Sequence, residues 1–413
     1  MTRSRIVATL SLVLGLMLSL SLGLNARLPG QPDADARVVA IGDVHGSLDG
    51  LVSILQAAGL IDAARHWTGG SATLVQTGDV TDRGAHVRGA LDLLMALSTE
   101  ARAAGGRVTP LLGNHEMMNL IGELRDVTPI ICASFAAADS DATREAGWRT
   151  YAALASARSR TRPGEEPPAL ARTREGWLAA YAPGCIEYRL ALAPQGTYGR
   201  WLRERPIAAK VGGAVFMHAG PDPAAPLASL DELNARARDE VRRFDRFHER
   251  LVRAKLAAPW FRLEDVLAVA AAEVRWTNGL VAGAKERGEA LDLSGVDVDL
   301  VKEAAAVLGI GDWSLLNGDG PLWYRGYALD EEPALEAPLA ALLKHWNADR
   351  LVVGHSVQRD ALIHARLQGQ LFLIDTGMLA PVYKGAASAL ELTGGRATAI
   401  YADGTRVVLH PVP

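Results

Sequence analysis

Cysteine is almost absent from this chain: Cys132 and Cys185 are the two present in 413 residues. So small a number excludes a disulfide-built scaffold and a thiolate metal cluster. The pair could close one disulfide in an oxidising compartment or remain two buried thiols, and spacing alone does not choose. A charge excess is also missing. The formal net charge of −4 gives no electrostatic reason to expect nucleic acid as a partner. Repeats and low-complexity stretches beyond the N-terminus are absent, which excludes a solenoid. Hydrophobic residues make up 49% and charged residues 22%. That is an ordinary globular composition, long enough for one large domain or two ordinary ones.

One long apolar run is present, and it opens the chain. In "MTRSRIVATLSLVLGLMLSLSLGLNARLPG", Arg3 and Arg5 precede an uncharged stretch from Ile6 to Leu24, and Leu24-Asn25-Ala26 offers a small-residue cleavage site. The pattern predicts an export signal over 1–26, a linker over 27–35 and a periplasmic or secreted product. The run is long for a signal, so an uncleaved membrane anchor is the alternative. Cleavage would remove two positive charges and leave a net charge of −6. No cysteine follows, which argues against a lipoprotein, and Arg3-Ser4-Arg5 is not a twin arginine.

Beyond it the apolar runs are short. They cover Val38 to Ile41, Leu74 to Thr77, Val108 to Leu112, Val215 to Met217, Leu351 to Val353 and Leu371 to Ile374. Runs of this length suit strands buried on both faces. Helix-period segments at Leu48 to Ala58 and Val87 to Ala104 separate the first three, giving β-α-β-α-β and a parallel sheet. From Ser388 to His410 the pattern alternates around Gly-Gly and Asp-Gly turns, which reads as an antiparallel meander. Helical insertions are expected near 120–205 and 222–320. In the second, Ser229 and Glu232 form a capping-box pattern. The arginines of that helix read as a solvated face.

The first three strands each end in a charged turn: "GDVHG" at 42–46, "GDVTDRG" at 78–84 and "GNHE" at 113–116. Asp43, Asp79 and Asn114 are 36 and 35 residues apart, one crossover each, so parallel neighbours can deliver all three to one edge. Two later strands end in "MHAG", with His218, and "VGHS", with His355. Carboxylates and imidazoles gathered at one point need a counter-ion. A pair of divalent metals supplies it, and oxygen and nitrogen ligands without thiolate suit Mn, Fe or Zn. An aspartate on the middle strand, Asp79, is the natural bridge. Two-metal sites of this kind activate water and clamp a phosphoryl group. His66, His86, His248, His345, His364 and His410 are read as core or surface residues.

"GDVHG", "GDVTDRG", "GNHE", "HAG" and "GHS" resemble the ordered signatures of the calcineurin-like metallophosphoesterases. The DRG and the Glu of GNHE resemble their phosphoprotein phosphatase branch. "GNHEMMNL", "GPLWYRG" at 320–326 and "IDTGM" at 374–378 are similar to the Shewanella-like phosphatases. The resemblance implies an α/β metallophosphoesterase β-sandwich, two mixed sheets flanked by helices, filling 36–413. It implies Asp43 and His45 on the first metal, Asp79 as bridge, and Asn114, His218 and His355 on the second. His115 would be the general acid, oriented by Asp82. Arg83 and Arg325 would bind phosphate, the latter with a structural ion pair as its alternative. Mn is the expected metal, with Fe or Zn as alternatives. Two departures stand out. Ala219 replaces the second glycine of the family's HGG, and "IDTGMLAPVYKG" stands where eukaryotic-type members have S-A-P-N-Y.

A cysteine-based phosphatase is excluded, because neither cysteine is followed by Arg at the sixth position. The expected reaction is hydrolysis of phosphoric monoesters by hydroxide activated at the metal pair, without a phosphoenzyme. Phosphorylated protein side chains, Tyr or Ser/Thr, are the first substrate class. Small phosphate esters or nucleotides are the second; the related dinucleoside tetraphosphatases usually lack the aspartate of DRG, and Asp82 argues against them. A non-enzymatic phosphate-binding module would require loss of His115, Asp82 and Arg83, all of which are present.

Overall fold

The computed structural model describes residues 37–165 and 168–410; the expected signal and linker lie outside them. The chain begins with β1 (Val38–Ile41), α1 (Leu48–Ala57), β2 (Thr73–Gln76), α2 (Val87–Ala103), β3 (Arg107–Pro110) and α3 (Asn114–Ile121). Five helices follow: α4 (Pro129–Ser134), α5 (Ser140–Thr161), α6 (Arg174–Ala180), α7 (Cys185–Leu192) and α8 (Thr197–Arg203). Strands β4 (Ala208–Val211) and β5 (Ala214–Met217) lead into α9 (Leu230–Arg253), α10 (Leu263–Arg287), α11 (Val298–Leu308), α12 (Gly326–Leu329) and α13 (Glu332–His345). The remainder is β6 (Arg350–Val353), β7 (His364–Arg366), β8 (Leu371–Leu373), α14 (Ala380–Tyr383), β9 (Ser388–Thr393), β10 (Arg396–Tyr401) and β11 (Arg406–His410).

Two mixed sheets result. One runs β11-β10-β9-β1-β2-β3, the other β4-β5-β6-β8-β7. β1, β2 and β3 are parallel, and the β9–β10–β11 meander joins them antiparallel to β1. Successive side chains of a strand point to opposite faces, and both faces are covered. Val38 and Ala40 meet Ala214, Phe216, Val352 and Phe372 between the sheets. Val39 and Ile41 pack outward against Leu51, Ile54 and Leu91 of the helices. That is why the runs are continuously apolar. Each fully buried Leu, Ile or Phe contributes about 1.5–3 kcal/mol.

Asp43, Asp79 and Asn114 come from one edge, as their spacing predicts, while the histidine-bearing strands β5 and β6 belong to the second of the two sheets that the resemblance implies, so the candidate ligands converge from the matching ends of two facing sheets. Apolar periodicity reports burial on both faces but not membership of a sheet.

The capping box at α9 forms as the sequence predicts: Ser229 Oγ accepts from Glu232 N, and Glu232 accepts from Ser229 N. Its apolar stripe, with Leu233, Val241, Phe244, Phe247 and Leu251, is buried. Cys132 of α4 and Cys185 of α7 form a disulfide. Among the described residues no helix is long and apolar enough to cross a membrane.

Candidate metal centre and active site

Five of the functional side chains sit on backbone that ordinary residues avoid, in the turns that follow β1, β2 and β6. His45, Asp79, Asp82, Arg83 and His355 all have positive φ, between 46° and 69°. Such conformations cost about 1–3 kcal/mol each and persist where the surroundings over-determine them. Glycines make room for the carboxylates. A Cβ at Gly113 would collide with Asp79 Oδ1, and one at Gly354 with Asp43 Oδ1.

Glu116 supplies much of the over-determination. Its buried carboxylate accepts from the N–H groups of Gly113 (2.8 Å), Asp79 (2.7 Å), Val80 (2.8 Å) and Thr81 (2.9 Å), and from Thr81 Oγ1 (3.0 Å). Burial and the Asp79 charge raise this carboxyl, and the backbone donors oppose them. Glu116→Gln turns one acceptor oxygen into a donor facing other donors. Hydrogen bonds to charged groups contribute about 1.5–3 kcal/mol each. The variant should therefore lose roughly 3 kcal/mol or more, read as a lower thermal unfolding midpoint.

The residues that the sequence offers as metal ligands converge. His45 Nδ1 donates to Thr81 O at 2.9 Å, which leaves Nε2 facing inward, 3.6 Å from Asp79 Oδ2 and 3.9 Å from Asp43 Oδ2. His218 Nδ1 donates to Thr77 O at 3.1 Å. Its Nε2 lies 2.8 Å from Asn114 Oδ1, 3.0 Å from His355 Nδ1 and 3.3 Å from Asp79 Oδ2. His355 Nε2 donates to Trp323 O at 3.0 Å, so its Nδ1 also presents a lone pair. Asp79 Oδ1 is held by His115 N at 3.0 Å, which leaves Oδ2 between the two histidine groups. Asp43 Oδ1 is held by His355 N at 3.0 Å.

This set fits cations. Around His218 Nε2 an imidazole nitrogen, an amide oxygen and a carboxylate oxygen converge as acceptors. Burial, and then neighbouring positive groups including His218 and Arg325, pull His355 down to about 2. Burial likewise pulls His45 down to about 3. His45 and His355 are thus in the neutral form that metal ligation needs, whereas at His218 burial is outweighed by the Asp79 charge, which holds the imidazole up, so that ring would release a proton on ligation. Burial, then the charges of Asp375 and Asp79, pushes the Asp43 carboxyl well up. Asp375 Oδ2 is buried without a hydrogen-bond partner. Mutually facing acceptors and an orphaned carboxylate oxygen are what a divalent cation relieves.

Asp82 Oδ2 accepts from His115 Nδ1 at 2.6 Å, and His115 Nε2 points inward, 3.8 Å from Asp79 Oδ2. Burial lowers the His115 imidazole, but the Asp79 charge and the bond to Asp82 outweigh it and the net shift is upward. A cavity of about 120 Å³ opens over the cluster, lined in part by Arg83, Arg325, Trp323 and Tyr383. Arg83 Nη1 donates to His45 Nε2 at 2.7 Å, and the same nitrogen contacts the Tyr383 hydroxyl. Arg325 Nη1 donates to His355 O at 2.9 Å and makes no ion pair with a described residue, contrary to its structural alternative. Of the histidines set aside, His364 pairs with Asp360 on an exposed strand and His248 bonds Ala258 O in a helical core.

Three residues escaped the sequence reading. Glu116 was recognised as a motif letter without a role. Asp375 follows an apolar run and precedes Thr-Gly, the same signal as the other turns, and was findable. Tyr383 reaches the site from α14, and nothing local in "APVYKG" announces that.

Two facing sheets with aspartates, histidines and an asparagine at one common end define a metal-dependent hydrolase. The family model for calcineurin-like phosphoesterases matches residues 36–264. That is over half of the chain, and the protein belongs to that family. An uncharacterised protein of Schizosaccharomyces pombe is 28% identical over 359 residues, 86% of this chain and 77% of its own. Shewanella-like protein phosphatase 2 of Arabidopsis thaliana is 49% identical over 92 residues, 22% of this chain and 24% of its own. Shewanella-like protein phosphatase 1 of Plasmodium berghei is 39% identical over 95 residues, 23% of this chain and 26% of its own. The match therefore spans about a quarter of each phosphatase relative. A cold-active protein-tyrosine phosphatase of a Shewanella species shares the fold, with TM-score 0.52 and 24% identity over 91% of this chain and 81% of that one.

Proposed function

We propose that the protein hydrolyses phosphoric monoesters on protein side chains, using two divalent metals. One observation carries this reading. Asp79 Oδ2 lies 3.6 Å from His45 Nε2, 3.3 Å from His218 Nε2 and 3.8 Å from His115 Nε2, so a bridge and a proton donor share one centre. Asp43 and His45 would hold one cation, Asn114, His218 and His355 the other, and Asp79 both. Mn, Fe or Zn suits these donors. Bound metals of this class lower the pKa of water and stabilise charge on a phosphoryl group.

The chain's own residues do the rest. Arg83 and Arg325 offer guanidinium forks to phosphate oxygens. His115 Nε2 gives its proton to the leaving oxygen, and Asp82 keeps the proton-bearing tautomer aligned. The cavity of about 120 Å³, lined in part by Trp323 and Tyr383, is too small to enclose a leaving group. Such a shape suits a phosphorylated side chain better than an enclosed nucleotide. The names of the Arabidopsis, Plasmodium and Shewanella relatives support a protein phosphatase. In the Mn-loaded protein, kcat/KM on phosphotyrosyl and phosphoseryl peptides should exceed that on nucleotides. A large preference for nucleotides would move the protein to the small-molecule class. Arg83→Ala should raise KM about tenfold or more, as loss of a charge-assisted bond of 1.5–3 kcal/mol requires.

Export by residues 1–26 remains part of the proposal. The Cys132–Cys185 disulfide supports an oxidising compartment. N-terminal sequencing of the natural product should begin near residue 27, and a start at Met1 in a membrane fraction would favour the anchor.

A further inference from the structure

Asn119 lies on α3 one turn beyond His115 and is fully buried. Its Nδ2 donates to Asp82 Oδ1 at 2.8 Å and to His115 O at 2.9 Å, and lies 3.4 Å from Thr81 Oγ1. The Thr81 hydroxyl gives its own proton to Glu116, so all three groups around Nδ2 are acceptors. Asn119 Oδ1 accepts from the Tyr188 hydroxyl at 2.6 Å. Reversing the amide would set its oxygen against a carboxylate and a carbonyl, so the network fixes its orientation.

The other end of this chain is in the helical insertion. Tyr188 is on α7, 69 residues beyond Asn119, and is fully buried with its ring edge-on to Phe135. Burial, and behind it the Asp82 charge, pushes its phenol well up, so it stays a donor. The next residue, Arg189, donates from Nη1 to Asn119 O at 3.1 Å. Consecutive residues of α7 thus clasp both the side chain and the backbone of Asn119. The disulfide at Cys185 ties the start of α7 to α4. Apolar side chains would suffice to seat α7 on α3. Instead an unbroken buried series, Tyr188 to Asn119 to Asp82 to His115, runs into the acid.

We propose that Asn119 and Tyr188 are positioning residues for the proton donor, so that the helical insertion aims His115. This rests on the reading of His115 as the acid. With Asn119 present, Asp82 is fixed at both oxygens, one on His115 Nδ1 and one on Asn119 Nδ2. Without it the carboxylate can rotate and the imidazole loses its aim.

The test uses full-length, Mn-loaded protein and a series of aryl phosphates whose phenols differ in acidity. A poorly acidic leaving phenol needs the proton; a very acidic one does not. Asn119→Ala should lower kcat about 10–100-fold on the least acidic phenol, by analogy with the loss on removing the hydrogen-bond partner of a metal-ligating group. The loss should shrink toward the most acidic phenol, with KM and metal content near wild type. Tyr188→Phe, which keeps the ring, should steepen the dependence in the same direction. In metal-free protein, the downfield imidazole N–H resonance that disappears in His115→Asn should shift or broaden in both variants. An equal loss across the series, or no loss, would overturn the proposal. If Asn119→Ala fails to fold, Tyr188→Phe decides. A wild-type protein inactive on every aryl phosphate would instead overturn the phosphatase reading beneath it.

Discussion

Asp79→Asn should lower turnover by more than about 100-fold and strip the protein of both metals. Loss of an outer-shell partner already costs about 10–100-fold in metal affinity or activity. Asp79 is placed to do more. Its Oδ1 is pinned by His115 N, and its Oδ2 faces His45 Nε2 at 3.6 Å and His218 Nε2 at 3.3 Å. An amide at this position keeps the shape but loses the charge that two cations would share. Elemental analysis after gel filtration is the direct check. Two metals per chain in the variant would show that the bridge lies elsewhere. Folding should survive, because the Glu116 latch grips the Asp79 backbone rather than its carboxylate.

His115→Asn should lower kcat by about 10²–10⁴-fold, the usual contribution of a positioned acid, while metal content stays at the wild-type level. The two variants thus separate the roles: one loses metal and rate together, the other rate alone. The geometry supports the split. His115 Nδ1 is committed to Asp82 at 2.6 Å. Its Nε2 faces the centre but stands 3.8 Å from Asp79 Oδ2. An unchanged rate in His115→Asn would remove it from the mechanism.

The convergence of the candidate site was legible in sequence because its residues announce themselves locally. Asp43 and His45 closely follow β1, Asp79 follows β2, and His218 directly follows β5. The turns carry glycines because the carboxylates need the space. β1 was read at its observed bounds for the same reason, since burial on both faces leaves an unbroken apolar run. The short edge strands were not legible: β4 reads AAKV and β7 reads HAR, too brief and too polar for a period to show. The partition into two sheets, the reach of Tyr383 and the Tyr188–Asn119 bond depend on contacts between distant elements. No local pattern encodes those.

The most direct test of the central claim is anomalous X-ray scattering from crystals of the Mn-loaded protein. Two peaks are expected about 3.5–4 Å apart, the usual spacing of paired catalytic metals, with Asp79 between them, Asp43 and His45 on one side, and Asn114, His218 and His355 on the other. Fully loaded crystals with no peak among these residues would contradict the claim.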